Sequence, residues 1–182
     1  MSIFTELEQY RPGDAEEASD LGRVRALRTA ADAFGRTVPL HITGSALVVH
    51  PPSGRVLLRW HVRQSAWLHV GGHVDPGEDD PLVTALREAA EETGLRDLAP
   101  WPDPAILHVV VVPVTANDRE PAHEHADVRY VLATGTPDEA RPENPAALLR
   151  WLTIPEAHDL TTEVNMHGSL DRVERLLRSR DR

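Results

Sequence analysis

Three carboxylates crowd onto one side of a short segment of this chain. In Gly71 to Leu95, GGHVDPGEDDPLVTALREAAEETGL, the residues Glu88, Glu91 and Glu92 stand at i, i+3 and i+4. On a helix they fall within one narrow arc. Each close like-charge pair costs on the order of a few tenths of a kcal/mol. Arg87 can pair with Glu91, but one guanidinium does not neutralise three carboxylates. A solvated helix face is the bland reading, since glutamate is a good helix former. A ligand set for a metal ion is the sharper reading. Oxygen donors of high charge suit a hard cation, magnesium (Mg2+) with manganese (Mn2+) as a substitute. Gly71-Gly72 lets the backbone turn sharply, so a carbonyl there, that of Gly71, can join the ligands.

A second concentration of donors is His123-Glu124-His125-Ala126-Asp127. It reads as a loop just ahead of a strand. His123, Glu124, His125 and Asp127 are candidates for an additional ligand or a base, and the alternative is a solvated loop whose Asp127 starts the strand.

These groups need a scaffold. Asp80 as N-cap, Pro81 as first helical residue and Gly94 as stop predict a helix over Pro81 to Thr93. Its apolar stripe, Leu82, Ala85, Leu86 and Ala89, would pack on a sheet and leave the acidic arc at the edge of the layer. An N-terminal helix is predicted from Ala15 to Phe34, with Asp14 and Glu17 as a capping box and Pro39 beyond its end. His41 to Val49 and Val56 to Val62 read as strands of a hairpin about the turn Pro51-Pro52-Ser53-Gly54. Trp67 to Val70 is a short strand entering the glycine pair. The β-branched run Ile106 to Val114 predicts a buried central strand. Val128 to Thr134 and Leu148 to Thr153 are further strands. A short helix near Pro155 to Leu160 and an amphipathic helix marked by Met166, Leu170, Val173 and Leu177 close the chain. The order predicts an α/β fold, an α/β/α sandwich with a mixed β-sheet.

Composition narrows the function. The 182 residues, 41% hydrophobic and 26% charged, suit one globular domain and argue against disorder. There is no cysteine, which excludes disulfides, thiolate zinc sites and cysteine nucleophiles. All 19 basic residues are arginine, so lysine chemistry is excluded too. A net charge of −10 disfavours nucleic acid as a partner. No apolar run approaches the roughly 20 residues of a membrane span, and the acidic N-terminus lacks a secretion-signal layout, so no membrane partner and a cytoplasmic location are expected.

The segment from Gly72 to Leu95 resembles the signature of the Nudix hydrolase family, Gly-x5-Glu-x7-Arg-Glu-U-x-Glu-Glu-x-Gly-U with U aliphatic. The matching residues are Gly72, Glu78, Arg87-Glu88-Ala89, Glu91-Glu92, Gly94 and Leu95. One departure is present: eight residues, Asp79 to Leu86, separate Glu78 from Arg87 instead of seven. A longer loop with the glutamate trio intact is expected, and the place of Glu78 is the feature put in question. Strand order and the late Trp151-Leu152 strand extend the resemblance over residues 40–160. The chain then reads as a single Nudix domain over 1–182, with an N-terminal helical extension over 1–38 and a C-terminal helix over 163–180.

The resemblance implies a Nudix-like sandwich and a pyrophosphohydrolase that cleaves the diphosphate linkage of a small nucleoside diphosphate derivative: a nucleotide sugar, ADP-ribose or a nucleoside triphosphate. It implies metal ligation by Glu88, Glu91 and Glu92, with Arg87 holding a glutamate in place. The base is Glu88, Glu91 or a carboxylate of the downstream loop. His69 and His73 flank the glycine pair and either contact substrate or cap the strand. His69 alternates with Trp67 on one strand face. Trp67 and Trp60 stack on a base or pack inside. Arg59, Arg63 and Arg129 are candidates to approach phosphates. His41, His50, His108, His158 and His167 receive no role. Competing readings are a non-catalytic nucleotide-sensing Nudix domain, RNA decapping, and an isopentenyl diphosphate isomerase activity that the absence of cysteine disfavours. A homodimer is left open.

Overall fold

The computed structural model describes residues 2–116 and 121–179. Strand β1 (Leu40–His50) is its pivot. It runs parallel to β7 (His123–Ala133) along one edge, and antiparallel to β2 (Arg55–His61) and β4 (Val70–His73) along the other. The strands β3 (Ala66–Leu68), β5 (Ala99–Pro100), β6 (His108–Val114) and β8 (Leu149–Thr153) add antiparallel pairs, so the sheet is mixed.

Side chains of β1 alternate between two cores, as strand geometry requires. Ile42, Ala46 and Val48 pack with Leu21 and Val24 of α2 (Ala15–Ala26) and with Ala85 and Ala89 of α3 (Pro81–Thr93). Leu47 and Val49 pack with Ala157 of α4 (Ile154–Leu160) and with Met166, Leu170 and Val173 of α5 (Val164–Ser179). Helices therefore cover both faces of the sheet, and the α/β/α sandwich expected from the sequence is what forms. Among the described residues no helix is long and apolar enough to cross a membrane.

The central helix has the ends its sequence specifies. The Asp80 side chain accepts from the Leu82 N–H, Pro81 opens the first turn, and Gly94 closes it at φ 69°, a conformation in which a side chain is strained.

Four expectations are corrected. The N-terminal helix stops at Ala26, passes through a 3-10 turn over Leu27–Thr29, and does not reach Phe34. There the Asp32 carboxylate captures the Phe34 and Gly35 N–H groups, a local turn that competes with helix. A further short helix, α1 (Ile3–Gln9), precedes it, and Arg25 donates to the Leu7, Glu8 and Tyr10 carbonyls around its end. The stretch Trp67 to Val70 is not one strand but parts of β3 and β4, interrupted at His69. Residues 123–127 form no loop, because they begin β7. The run Ile106 to Val114 gives β6, but as an edge strand paired with β7 alone.

That edge is covered by acidic side chains of α2, not by another strand. The Val109 N–H donates to Glu17 Oε1 at 3.0 Å and the Val111 N–H to Asp20 Oδ2 at 2.8 Å. The row of open donors on a sheet edge is thus satisfied. Glu17 is only 2% exposed and also receives the Gly13 N–H, the Tyr10 hydroxyl and Arg172 Nη2. Asp14 does cap α2 by accepting the Glu17 N–H at 2.9 Å, but the Glu17 carboxylate turns inward instead of completing a box. Burial pushes the Glu17 carboxyl up, and the bonds from Gly13, Tyr10 and Val109 with the Arg172 charge outweigh it, leaving the group below its usual range. Its stabilisation is present above the unfolded carboxyl pKa and is lost as pH falls through the folded one. Glu17→Gln is expected to lower stability in urea unfolding by about 3 kcal/mol near neutral pH. The deficit should shrink once pH falls below about 4. An unchanged unfolding midpoint would contradict this role.

Candidate active site

Helix α3 brings its acidic arc against the glycines of β4. The Gly71 N–H donates to Glu92 Oε2 at 3.1 Å, and Arg59 Nη1 meets Glu92 Oε1 at 3.1 Å. A Cβ built on Gly72 would lie 2.5 Å from the Glu88 carboxyl carbon, so a side chain at position 72 would push the Glu88 carboxyl group out of its place. Arg87 Nη1 donates to Glu88 Oε1 at 2.8 Å, and Arg87 Nη2 donates to the His73 carbonyl at 3.0 Å. The Asp75, Glu78 and Glu91 carboxylates lie at 3.4, 3.6 and 3.6 Å from the same guanidinium. Glu78 accepts from the Asp75 N–H and the Thr84 hydroxyl. The extra residue before α3 is therefore absorbed in the loop, and Glu78 stays beside Arg87.

Burial is the chief force on the two inner carboxylates, and it pushes both upward. For Glu88 the hydrogen bond and charge of Arg87 oppose it. For Glu92 the Arg59 charge and the Gly71 N–H oppose it, and the group still rises to about 7. Glu91 is 58% exposed. Largely buried oxygen donors crowded by neighbouring carboxylates, pressed on a backbone with no intervening side chain, are suited to a hard divalent cation.

Beside the glycines opens a cavity of about 380 Å3, on the face of the sheet covered by α5. Gly71, Gly72 and Arg59 line it as well as touching the glutamates. Parallel pairing sets His41, Thr43 and Ser45 of β1 beside His125, Asp127 and Arg129 of β7. Alternate residues share a face, so these six form one polar ribbon. Asp127 accepts from Thr43 Oγ1 at 3.0 Å, Ser45 Oγ at 2.9 Å and Arg129 Nε at 2.8 Å, with His69 Nε2 at 3.2 Å. Burial alone would raise this carboxyl, but His69 and Arg129 hold it far below its usual range. Asp127 is thus a poor proton acceptor. Arg129 is held in turn by Asn165 Oδ1 at 2.7 Å and Ser169 Oγ at 2.9 Å.

At one end of the ribbon His41, His73, His123 and His125 gather, each with a ring nitrogen within 4.8 Å of the others. A group able to hold a divalent cation is therefore present. His123 and His125 were expected as ligands and His73 as a substrate contact, whereas His41 had no assigned role. Only the register partner His125 reveals it, and register is not written locally in the sequence.

The other expected residues separate. His69 and Arg59 line the cavity. Glu124 lies on the opposite face of β7 from its histidine neighbours, where Arg23 Nη1 holds it at 3.1 Å, so it does not join them. Trp67 is 8% exposed and packs in the second core, with the Arg150 guanidinium 4.8 Å from its ring centroid and Trp60 at 5.6 Å. It is a core residue and not part of the cavity wall.

A family model, the NUDIX domain, matches residues 40–172. The chain belongs to the Nudix domain family. A curated protein of Lactococcus lactis subsp. cremoris, "Probable DHNTP pyrophosphohydrolase", is 31% identical over 119 residues, which span 64% of this chain and 68% of that protein. The solved structure of C. elegans Ap4A hydrolase matches with a TM-score of 0.58 and 19% identity, over 75% of this chain and 97% of that one. The E. coli dihydroneopterin triphosphate pyrophosphohydrolase matches with a TM-score of 0.56 and 18% identity, over 72% and 92%. The two structures show a shared fold. Like its family, this Nudix chain is a pyrophosphohydrolase acting on a nucleoside-diphosphate-linked compound.

Because Glu92 rises to about 7, the folded chain without cation keeps a proton that the unfolded chain releases above its ordinary carboxyl range. The stabilisation this gives is complete below the unfolded pKa and is lost as pH rises through about 7. Glu92→Gln stays neutral throughout. In chelator, its Tm by circular dichroism is expected to gain on that of the parent chain between about pH 5 and about pH 8. A Tm difference independent of pH over that range would contradict a protonated Glu92.

Proposed function

We propose that this Nudix chain is a magnesium-dependent hydrolase whose substrate is a triphosphate carrying a purine- or pterin-like base, cleaved between phosphates to release pyrophosphate. The observation that carries the metal part is the pressing of Glu88 and Glu92 onto Gly71-Gly72 at the cavity wall. Glu88, Glu91, Glu92 and the Gly71 carbonyl are the donors for the cation. Once bound, magnesium supplies charge neutralisation of the phosphates and orientation of the diphosphate, with manganese able to take its place.

The chain's own groups do the rest. Arg59 grips Glu92 while facing the cavity, so it links the acidic cluster to a bound phosphate. Arg87 orients Glu88, the carboxylate assigned to take the proton of the attacking water. The Asp127 network keeps His69 and Arg129 in fixed positions on the cavity wall, where they can meet the remainder of the ligand. A cavity of about 380 Å3 accommodates a small molecule. The triphosphate assignment is supported by the activity named for the Lactococcus lactis relative. ADP-ribose and nucleotide sugars are the competing substrates, and a nucleotide sensor without turnover is the competing function.

A panel of nucleoside triphosphates, dihydroneopterin triphosphate, ADP-ribose and nucleotide sugars, assayed with magnesium for phosphate and pyrophosphate, tests this. Triphosphates are expected to turn over fastest, and Glu92→Gln to reduce turnover about 100-fold or more. Undiminished turnover in that variant would remove the metal role. Faster hydrolysis of ADP-ribose or a nucleotide sugar would overturn the substrate class, and binding without turnover of any compound would favour the sensor.

A further inference from the structure

We propose that His41, His73, His123 and His125 form a second metal site, one for a zinc-class transition ion, at the histidine end of the cavity ribbon. It is chemically distinct from the hard-cation site of the glutamates, and its argument does not depend on the proposed substrate. All four donors are imidazole nitrogens. Nitrogen donors favour zinc, nickel, cobalt or copper over magnesium, which prefers oxygen.

Two features separate this cluster from rings that merely stack. The first is an orphaned nitrogen lone pair. His41 is fully buried, its Nδ1–H donates to the Val38 carbonyl at 2.9 Å, and its Nε2 has no protein partner. Buried polar atoms are nearly always paired, so an unpaired nitrogen inside a group of imidazoles points to a ligand between them. The second is orientation. His123 Nδ1–H donates to the Pro121 carbonyl at 2.9 Å, which fixes its tautomer and turns the Nε2 lone pair inward, 3.1 Å from His125 Nε2. A backbone carbonyl holding the remote N–H is the usual outer support of a metal-binding histidine. The rings of His41 and His73 lie 5.2 Å apart, and those of His73 and His125 4.8 Å apart.

The spacing suits an ion as well. Zinc–nitrogen bonds of about 2.0–2.1 Å place tetrahedral donors about 3.4 Å from one another. The four nitrogens already lie within 4.8 Å, so side-chain rotations on the order of an ångström complete the shell. The ligands come from β1, β4 and β7, and an ion among them ties these strands together. His73 follows Gly71-Gly72 directly, and its carbonyl accepts from Arg87, so the ion would also anchor the strand against which the glutamates press.

The test uses the untagged full chain, stripped with chelator, dialysed against zinc and analysed for metal by mass spectrometry. About one ion per chain is expected, retained by a Glu88→Gln/Glu92→Gln double variant. His123→Ala, at a half-exposed position, and His125→Ala should each weaken zinc binding more than about 100-fold, beyond the loss caused by outer-shell changes. Cobalt in place of zinc should give the visible bands of a nitrogen-ligated ion, absent from His123→Ala. Failure to retain zinc, or equal retention by His123→Ala and His125→Ala, would overturn the proposal. Loss of zinc from the double glutamate variant alone would place the ion in the acidic cluster and overturn it too. None of these outcomes depends on hydrolytic activity, so the glutamate reading stands or falls separately.

Discussion

Helix α3 approaches β4 so closely that the Glu88 carboxyl group occupies the space of a missing side chain at Gly72, and the Glu92 carboxylate bonds the backbone of Gly71. This approach is held from behind by Ala85 and Ala89, both fully buried, whose small side chains let the helix sit low on the sheet. It is held lengthwise by Asp80 at one end and Gly94 at the other. Two arginines then grip the carboxylates from opposite directions, Arg59 from the sheet and Arg87 from the helix itself. The positive charge is not enough, because burial still drives both groups toward protonation. The acidic cluster is thus organised, and the proposed function places a small divalent cation within it.

The cavity obeys a different constraint, the register of two parallel strands. Pairing His41 with His125, Thr43 with Asp127 and Ser45 with Arg129 places every polar side chain of the ribbon on one face and Ile42, Ala46, Ala126 and Val128 in the opposite core. A slip of one residue would turn the ribbon's polar groups into the apolar core under α2 and α3 and the apolar side chains toward the cavity, so hydrophobic packing fixes the register and with it the site. Asp127 is the electrostatic centre of that face. Its four partners come from three segments of chain, and its charge is compensated by Arg129, which α5 holds through Asn165 and Ser169. Helix α5 therefore closes the cavity and also positions its cation.

Local signals proved legible in the sequence and pairwise ones did not. The bounds of α3 were readable because caps and stops act within a few residues, and the glutamate arc was readable because helical spacing is a local property. The histidine strand was not. In His123-Glu124-His125-Ala126-Asp127 the polar residues alternate, but both faces begin with polar groups, so the segment resembles a loop until its partner β1 is known. The run Ile106 to Val114 looked central because most of its residues are β-branched, yet its outer edge is met by Glu17 and Asp20, 92 and 91 residues before their partners Val109 and Val111. Glu17 resembled an ordinary capping residue for the same reason. Its main partners, Val109 and Arg172, are remote in sequence. The overrun of the N-terminal helix had the opposite cause: apolar periodicity continued to Phe34, while the side chain of Asp32 stopped the helix locally.

The central claim is that a divalent ion completes the acidic cluster on α3. Crystals grown with manganese, measured for anomalous scattering, test it most directly. A peak bonded to carboxylate oxygens of Glu88 and Glu92 at about 2.2 Å, with the Gly71 carbonyl in its shell, is the predicted result. Empty density there, with Glu88 and Glu92 keeping their present partners or with manganese bound at the histidines alone, would contradict the account.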